Sequence, residues 1–206
     1  MYALVVNNSI TRVFPGPKGF EHNGNQYSPD IFYKWSKAEK EAIGLYEVVT
    51  DSTNHKDEKW YINTNESFAF ANNTVTRSWG TATAKAHADT LWTQQDSDDG
   101  DLPSDKEVGD VKVEGLKTQL IRTIKQQAAG ILQNTDWYIV RKADAGTAVP
   151  SAITTHRAAV RTKAAEMETA ITNASDTPAL ETLYTYTEQE DGSITRPLGE
   201  LPTLES

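Results

Sequence analysis

The sequence predicts an α+β protein: a small, mostly antiparallel β module with one or two short helices, followed by an α-helical hairpin and an extended acidic tail. Two observations carry this prediction. Short apolar runs separated by polar turn residues, a pattern typical of β-hairpins, fill the first 92 residues. After residue 111, apolar side chains instead recur every three or four positions, as they do along one face of a helix.

Charge divides the chain into four segments. Of the net charge of −9, residues 1–92 hold −1 and residues 111–176 hold +3, whereas residues 93–110 hold −6 and residues 177–206 hold −5. Acidic segments with few apolar side chains bury too little surface to offset the entropy of ordering their backbone. The sequence therefore predicts an N-terminal module over 1–92, an acidic linker over 93–110, a helical hairpin over 111–176 and an extended tail over 177–206.

The N-terminal module contains six apolar runs that are predicted strands. They span residues 2–7, 10–14, 45–50, 59–63, 67–71 and 74–79. Between the second and third runs, Ser36 and Glu39 form a capping-box pattern that begins a short helix, and Gly44 is a left-handed residue suited to follow its end. Residues 82–91 are predicted to form one more short helix.

The hairpin is predicted from two apolar stripes at helical spacing. The first helix carries Leu116, Leu120, Ile121, Ile124, Ala128, Ile131 and Leu132, and the second carries Ile153, His156, Val160, Ala164, Met167 and Ile171. Residues 134–150 are predicted to connect them as a loop, with Pro150 and Ser151 restarting the chain as a helix that Ser151 caps.

Two helices alone leave an incomplete core, so the hairpin is expected to need a further partner. We expect the apolar flanks around Ile124 and Val160 to take part in that docking. Trp137 and Tyr138 lie at the closed end of the hairpin, where they are expected to seal its apolar seam.

Composition and motifs exclude several classes of function. The chain has no cysteine, which excludes disulfides, thiolate zinc sites and a cysteine nucleophile. An excess of acidic residues argues against nucleic-acid partners, and no apolar run is long enough to span a membrane. The acidic run from Asp96 to Glu107 does not follow the calcium-loop pattern, because its fifth position is Gly100. We therefore predict no cofactor, no metal, no catalytic residue and no enzymatic activity.

A structural lock is predicted within the hairpin on physical grounds. Asp136 follows the first helix, and Arg157 and Arg161 lie one turn apart on the second. A bidentate contact from either arginine to Asp136 would fix the register of the two helices, with Trp137 packed over it. The expected role is structural and not catalytic.

The same residues carry a resemblance to a known family. Thr135-Asp136-Trp137, then Pro150, then Arg157 and Arg161 in a helix, resembles the hairpin of the bacteriophage tail assembly chaperone and tail-fibre-associated proteins. The resemblance covers residues 115–172. This chain departs from the pattern in its acidic tail, which has no terminal tryptophan.

The resemblance implies a non-enzymatic phage tail or tail-fibre protein. We expect a virion-associated structural adaptor that docks tail, fibre or baseplate proteins, or another copy of itself. The alternative is a transient assembly chaperone that is absent from the mature particle. The expected location is the virion, and the host cytoplasm during assembly. A glycan hydrolase of the adsorption apparatus is a third alternative, but it would need two positioned carboxylates, which the sequence does not offer.

Overall fold

The protein is organised as two compact units in a computed structural model that describes residues 1–204. Unit 1 spans Met1–Thr83, and unit 2 begins at Ala84. The boundary between the units therefore lies before residue 92, where the sequence predicts it. The reason is that residues after Ala84 form backbone hydrogen bonds with the helix that begins at Leu116. The backbone N–H groups of Leu116 and Lys117 donate to the carbonyls of Ala86 and His87 at 3.0 Å each. The predicted α+β class is confirmed.

Unit 1 is built on strands, most of which match the predicted runs. They are β1 (Tyr2–Val6), β2 (Ser9–Phe14), β3 (Phe20–His22), β4 (Asn25–Tyr27), β5 (Leu45–Thr50), β6 (Tyr61–Ile62), β7 (Ser67–Ala71) and β8 (Thr74–Ser78). The main sheet has the spatial order β2-β1-β5-β8-β7. Its pairs are antiparallel except β5 with β8, which run parallel. β3 and β4 form a separate hairpin.

Alternation along β1 supplies apolar side chains to both faces of the main sheet. On one face Leu4 belongs to a buried cluster with Phe14, Phe20, Ile31, Phe32 and Leu45. On the other face Ala3 and Val5 are buried with Val75 and are flanked by Phe68 and Phe70. Both clusters follow from the period-two pattern of a strand that is covered on two sides.

Two short helices, α1 (Ile31–Lys34) and α2 (Lys37–Ala42), complete unit 1. The predicted capping box of α2 is confirmed: the Glu39 N–H donates to Ser36 Oγ at 3.3 Å, and the Ser36 N–H donates to Glu39 Oε2 at 2.7 Å. Gly44 adopts φ +80°, and a Cβ there would collide with the carbonyl oxygen of Val5. A glycine is therefore required where the chain turns from α2 into β5.

Unit 2 is mainly helical. After β9 (Thr83–Ala84), where the chain enters it, its elements are β10 (Thr90–Leu91), α3 (Gln94–Asp98), β11 (Val111–Val113), α4 (Leu116–Gln133), α5 (Asp136–Ala145), α6 (Ser151–Asn173), α7 (Thr177–Tyr184), β12 (Thr187–Glu188) and β13 (Ile194–Thr195). The two predicted hairpin helices are confirmed as α4 and α6. They run antiparallel, since Lys117 Nζ donates to the Thr172 carbonyl and Arg157 donates to the Leu132 carbonyl.

Residues 82–91 do not form the predicted helix. They contain β9 and β10, and β10 pairs antiparallel with β11. The Asp89 carboxylate accepts from the Gly115 N–H and from the Thr118 hydroxyl, at 2.7 Å each. This segment therefore caps the start of α4 and does not continue as a helix of its own.

The acidic segment 93–110 is more ordered than the predicted linker. α3 begins with a capping box in which the Thr93 N–H donates to Asp96 Oδ2 at 2.8 Å. The segment closes on itself, because the Trp92 N–H donates to the Asp110 carbonyl at 2.8 Å. Hydrogen bonds from Lys112 and then Thr93 lower the pKa of Asp96 to about 2. Local capping and one Lys contact thus hold a segment that has no apolar core.

The predicted extended tail from residue 177 is wrong over its first eight positions. α7 begins at Thr177, where the Asp176 carboxylate caps the Ala179 N–H at 2.8 Å. Farther on, the Leu198 N–H donates to the Leu183 carbonyl at 3.0 Å, and the Leu198 side chain is buried. Positions 205–206 of the predicted tail lie outside the described residues.

The C-terminal chain supplies the further packing partner that the hairpin is expected to need. Leu180 of α7 and Leu198 are both buried within unit 2, as are Ile124 of α4 and Val160 of α6. The chain's own α7, through Leu180, and Leu198 farther on supply apolar surface that two helices lack. Ile124 and Val160 are therefore core residues and not the exposed docking residues that the sequence predicted.

Candidate functional site

The start of α5 is fixed to α6 by one buried arginine. Arg157 Nη1 donates to the Thr135 hydroxyl and to the Leu132 carbonyl at 2.7 Å each, and lies 2.8 Å from Asp136 Oδ1. The Thr135 hydroxyl in turn donates to the Leu132 carbonyl at 2.9 Å. Thr135 and Arg157 are buried, whereas the Asp136 side chain is 55% exposed. The guanidinium group thus joins the end of α4, the start of α5 and the middle of α6.

The expected pairing of Asp136 with an arginine of the second helix is present, but its geometry differs from the prediction. One nitrogen of Arg157 makes all three contacts, so the contact with Asp136 is not bidentate. Arg161 does not take part: its Nη1 lies 3.5 Å from the Arg157 carbonyl of the same helix. The sequence pattern missed Thr135 as a buried acceptor, because a threonine carries no charge to mark it.

Pro150 precedes α6 as predicted, with φ −54° and ψ 142°. Its carbonyl accepts from the Thr154 N–H at 3.1 Å. Ser151 is the first residue of the helix and does not cap it, since the capping position belongs to Pro150. Proline is tolerated there because no hydrogen bond within the helix uses the N–H group of the capping residue.

Trp137 does not seal the hairpin seam. Its side chain is 51% exposed, and its ring contacts are with Tyr138 and Arg141 of the same helix. The Trp137 and Tyr138 ring centroids lie 3.8 Å apart, and Arg141 Cζ lies 4.7 Å from the Trp137 centroid. The predicted position fails because residues 136–145 form a helix instead of a loop, which turns the indole away from the seam.

α5 is a helix without a buried side chain. Besides Trp137, it exposes Ile139 (44%) and Val140 (65%). Trp137, Val140 and Arg141 share one face, because residues three and four positions apart are neighbours on a helix. We call Trp137, Tyr138, Val140 and Arg141 the α5 cluster; it is the part of unit 2 where exposed apolar side chains stand on an anchored helix.

Replacing Asp136 with alanine is expected to lower the free energy of unfolding by about 1–3 kcal/mol, because it leaves a buried guanidinium without its counter-charge. The exposure of the Asp136 carboxylate favours the lower half of that range. Denaturant unfolding followed by circular dichroism measures the change. Asp144→Ala, an exposed position of the same helix, is the matched control and should change stability by less than about 0.5 kcal/mol. Equal stability of the two variants would contradict the anchoring role of Asp136.

A cleft lies between α4 and the chain near residue 200. Its volume is about 410 Å³. α4 contributes Gln127, Gly130 and Ile131 to its wall, and Asn134, the residue that follows the helix, adds to it. A Cβ built on Gly130 would meet no atom within 4 Å, so the fold itself does not require a glycine there.

Gly130→Ala is expected to raise the free energy of unfolding by about 0.5 kcal/mol, because glycine is a poor helix former and Gly130 lies in the last turn of α4, where the effect is smaller than in a helix interior. Thermal unfolding of unit 2 measures the change. Gly44→Ala is the contrasting control, since φ +80° and the Val5 carbonyl make glycine necessary at that position. A Gly130→Ala protein less stable than the native protein would contradict the finding that there is free space for a methyl group at position 130.

Side chains that could ligate a metal are dispersed over the described part of the chain. Within residues 1–204, no three His, Asp or Glu side chains come together as metal ligands. His55 packs against Trp79 with centroids 4.5 Å apart, and His156 is buried on α6. No helix in this part of the chain has the length and apolar character to cross a membrane.

Comparison of the chain with protein-family models, with curated proteins and with solved structures finds no match. The site is therefore interpreted from its own geometry.

Proposed function

We propose that this protein is a non-enzymatic bacteriophage tail or tail-fibre protein, a virion-associated structural adaptor that docks other tail or fibre proteins. The observation that carries this proposal is the α5 cluster: exposed Trp137 and Arg141 side chains stack with half-buried Tyr138 on a helix that Arg157 anchors at its first turn. Its location would be the virion, and the host cytoplasm during assembly.

The composition of the α5 cluster is that of an interface centre. Tryptophan, tyrosine and arginine are the residues most often found to dominate binding energy at protein interfaces. Arg141 lies over both rings, with Cζ 4.7 Å from the Trp137 centroid and 5.6 Å from the Tyr138 centroid. Because the three side chains are already stacked, docking would cost little further side-chain entropy.

The assignment to phage tails rests on the resemblance of residues 115–172. The matching positions are Thr135, Asp136, Trp137, Pro150, Arg157 and Arg161. Division into two compact units also suits an adaptor. Two linked binding units raise the effective concentration of the second binding event once the first has formed. The partner is a tail, fibre or baseplate protein, or a second copy of this chain.

A transient assembly chaperone remains the alternative, and it would use the same surface. An exposed apolar helix anchored on a folded unit suits temporary capture of a tail or fibre protein as well as permanent docking. The two functions differ in whether the protein stays in the mature particle, which mass spectrometry of purified particles decides.

Trp137→Ala is expected to weaken binding to the purified tail partner by about 30-fold or more, the effect of losing an interface hot spot. Isothermal titration with the full-length protein measures it. Tyr33→Ala, which removes a 77% exposed ring from unit 1, is the matched control and should leave the affinity unchanged. Equal affinities of the two variants would refute docking through the α5 cluster.

A further inference from the structure

The cleft beside α4 is a second, separate feature of unit 2. Its base is Met167 of α6, which is buried, and its apolar wall is Ile131 and Leu201. Gln127 and Asn134 add one carboxamide each, and both side chains are exposed. A volume of about 410 Å³ lies within the range of binding clefts in proteins.

Gly130 lies between the two carboxamides, in the last turn of the 18-residue helix α4. Glycine is a poor helix former, and nothing in the fold approaches the place where its Cβ would lie. Glycine on a helix surface lets a second backbone come closer than any side chain would allow. The open space beside Gly130 therefore fits the main chain of a ligand.

The side-chain carboxamides of Gln127 and Asn134 offer the same hydrogen-bonding groups as a peptide backbone, at a separation that an extended peptide can span. Each offers one donor group and one acceptor, as a peptide unit does. Gln127 and Asn134 are seven positions apart, which is about 10 Å along a helix axis, and about three residues of extended chain cover the same length. One extended segment lying along α4 would reach both.

The far wall of the cleft carries balanced charge. Arg196 Nη2 donates to Glu200 Oε2 at 2.8 Å, and Arg196 Nε lies 2.7 Å from Glu200 Oε1. The Arg196 side chain also donates to the Gly199 carbonyl and is 13% exposed. Because the two charges neutralise each other, the wall favours an uncharged ligand.

We propose that this cleft binds an extended, uncharged peptide segment of a partner protein. Its backbone would lie against Gly130 and bond to Gln127 and Asn134, and an apolar side chain would enter above Met167. The site does not involve the α5 cluster and does not depend on the function proposed for it.

The test uses a displayed library of random linear 12-residue peptides, selected on the full-length protein and then titrated by fluorescence polarisation. We expect uncharged peptides with an apolar centre. Gly130→Leu should weaken them by about tenfold or more, since a side chain would occupy the backbone path. The matched control is Ala129→Leu, which adds the same side chain to the adjacent exposed position outside the cleft.

A second pair of variants tests the hydrogen bonds. Gln127→Ala and Asn134→Ala should each weaken the selected peptides several-fold, whereas Gln126→Ala and Gln133→Ala, on exposed positions outside the cleft, should not. Circular dichroism verifies that each variant keeps its helix content. Affinity should change little between about 50 and 500 mM salt, since no net charge is involved.

Three results would overturn the proposal. They are equal binding to Gly130→Leu and Ala129→Leu, strong weakening by salt, and failure of the library to yield any peptide above background. Gly130→Ala keeps the test valid if Gly130→Leu misfolds, because a methyl group meets no atom of the fold and still narrows the backbone path.

Discussion

Replacing Val160 with aspartate is expected to unfold unit 2. Val160 is fully buried near the middle of α6, a helix that packs against α4. A carboxylate there would lose its water without gaining a partner, which costs well over about 4 kcal/mol. That loss approaches the whole stability of a typical domain, which is about 5–15 kcal/mol.

Far-ultraviolet circular dichroism during thermal unfolding measures this effect. The helical signal of Val160→Asp should be reduced at 25 °C, or should melt far below that of the native protein. Thr162→Asp is the matched control, because Thr162 is an exposed residue of the same helix and should tolerate a charge within about 0.5 kcal/mol. A Val160→Asp protein as stable as Thr162→Asp would contradict the assignment of Val160 to the core. The sequence-based expectation that Val160 is a docking residue would then regain support.

Leu198→Ala is expected to destabilise unit 2 by about 2–4 kcal/mol, the usual cost of deleting a buried leucine side chain and leaving a cavity. Leu198 is 2% exposed although it follows the short β12–β13 hairpin, in a region whose sequence predicts no packed structure. The effect would show that the C-terminal chain completes the helical core. Denaturant unfolding with a two-state fit measures it.

Leu204→Ala is the matched control for this prediction, since Leu204 lies in the same C-terminal chain and is 46% exposed. It should change the free energy of unfolding by less than about 0.5 kcal/mol. Equal, small effects of both substitutions would mean that the C-terminal chain is not part of the core, and that the hairpin depends on another partner after all.

Elements with a strong periodic signal were predictable from the sequence. α4 and α6 each bury one stripe at helical spacing, and β5 and β7 match their predicted spans to the residue. The capping box at Ser36 was also predictable, because its two hydrogen bonds depend on residues only three positions apart.

Elements without a buried stripe were missed. α5 buries no side chain, so its residues show no amphipathic pattern, and the segment was predicted as a loop. α7 is eight residues long and buries only Thr177 and Leu180, too few to establish a period. Residues 84–92 are ordered by contacts with a helix that begins some 25 positions later, such as Asp89 with Gly115, which no local pattern reveals.

Only part of the candidate site was predictable, because only part of it leaves a local pattern in the sequence. The pairing of Asp136 with an arginine of the second helix, either Arg157 or Arg161, was predicted from complementary charges on two helices, and the structure pairs it with Arg157. The exposure of Trp137 was not, because it depends on whether residues 136–145 form a helix. Nothing in the sequence marked Gly130 as different from its helical neighbours, and its position beside open space became evident only from the structure.

The central claim is that the α5 cluster docks another tail protein in the mature particle. Photo-cross-linking tests it most directly, with p-benzoylphenylalanine introduced at Val140, which is 65% exposed, in particles that are purified and then irradiated. The account predicts that the protein is present in the particles and forms one dominant cross-linked product with a tail, fibre or baseplate protein or with a second copy of itself. The same probe placed at Tyr33 should not give that product. Absence of the protein from purified particles, or no cross-link from position 140, would contradict the account.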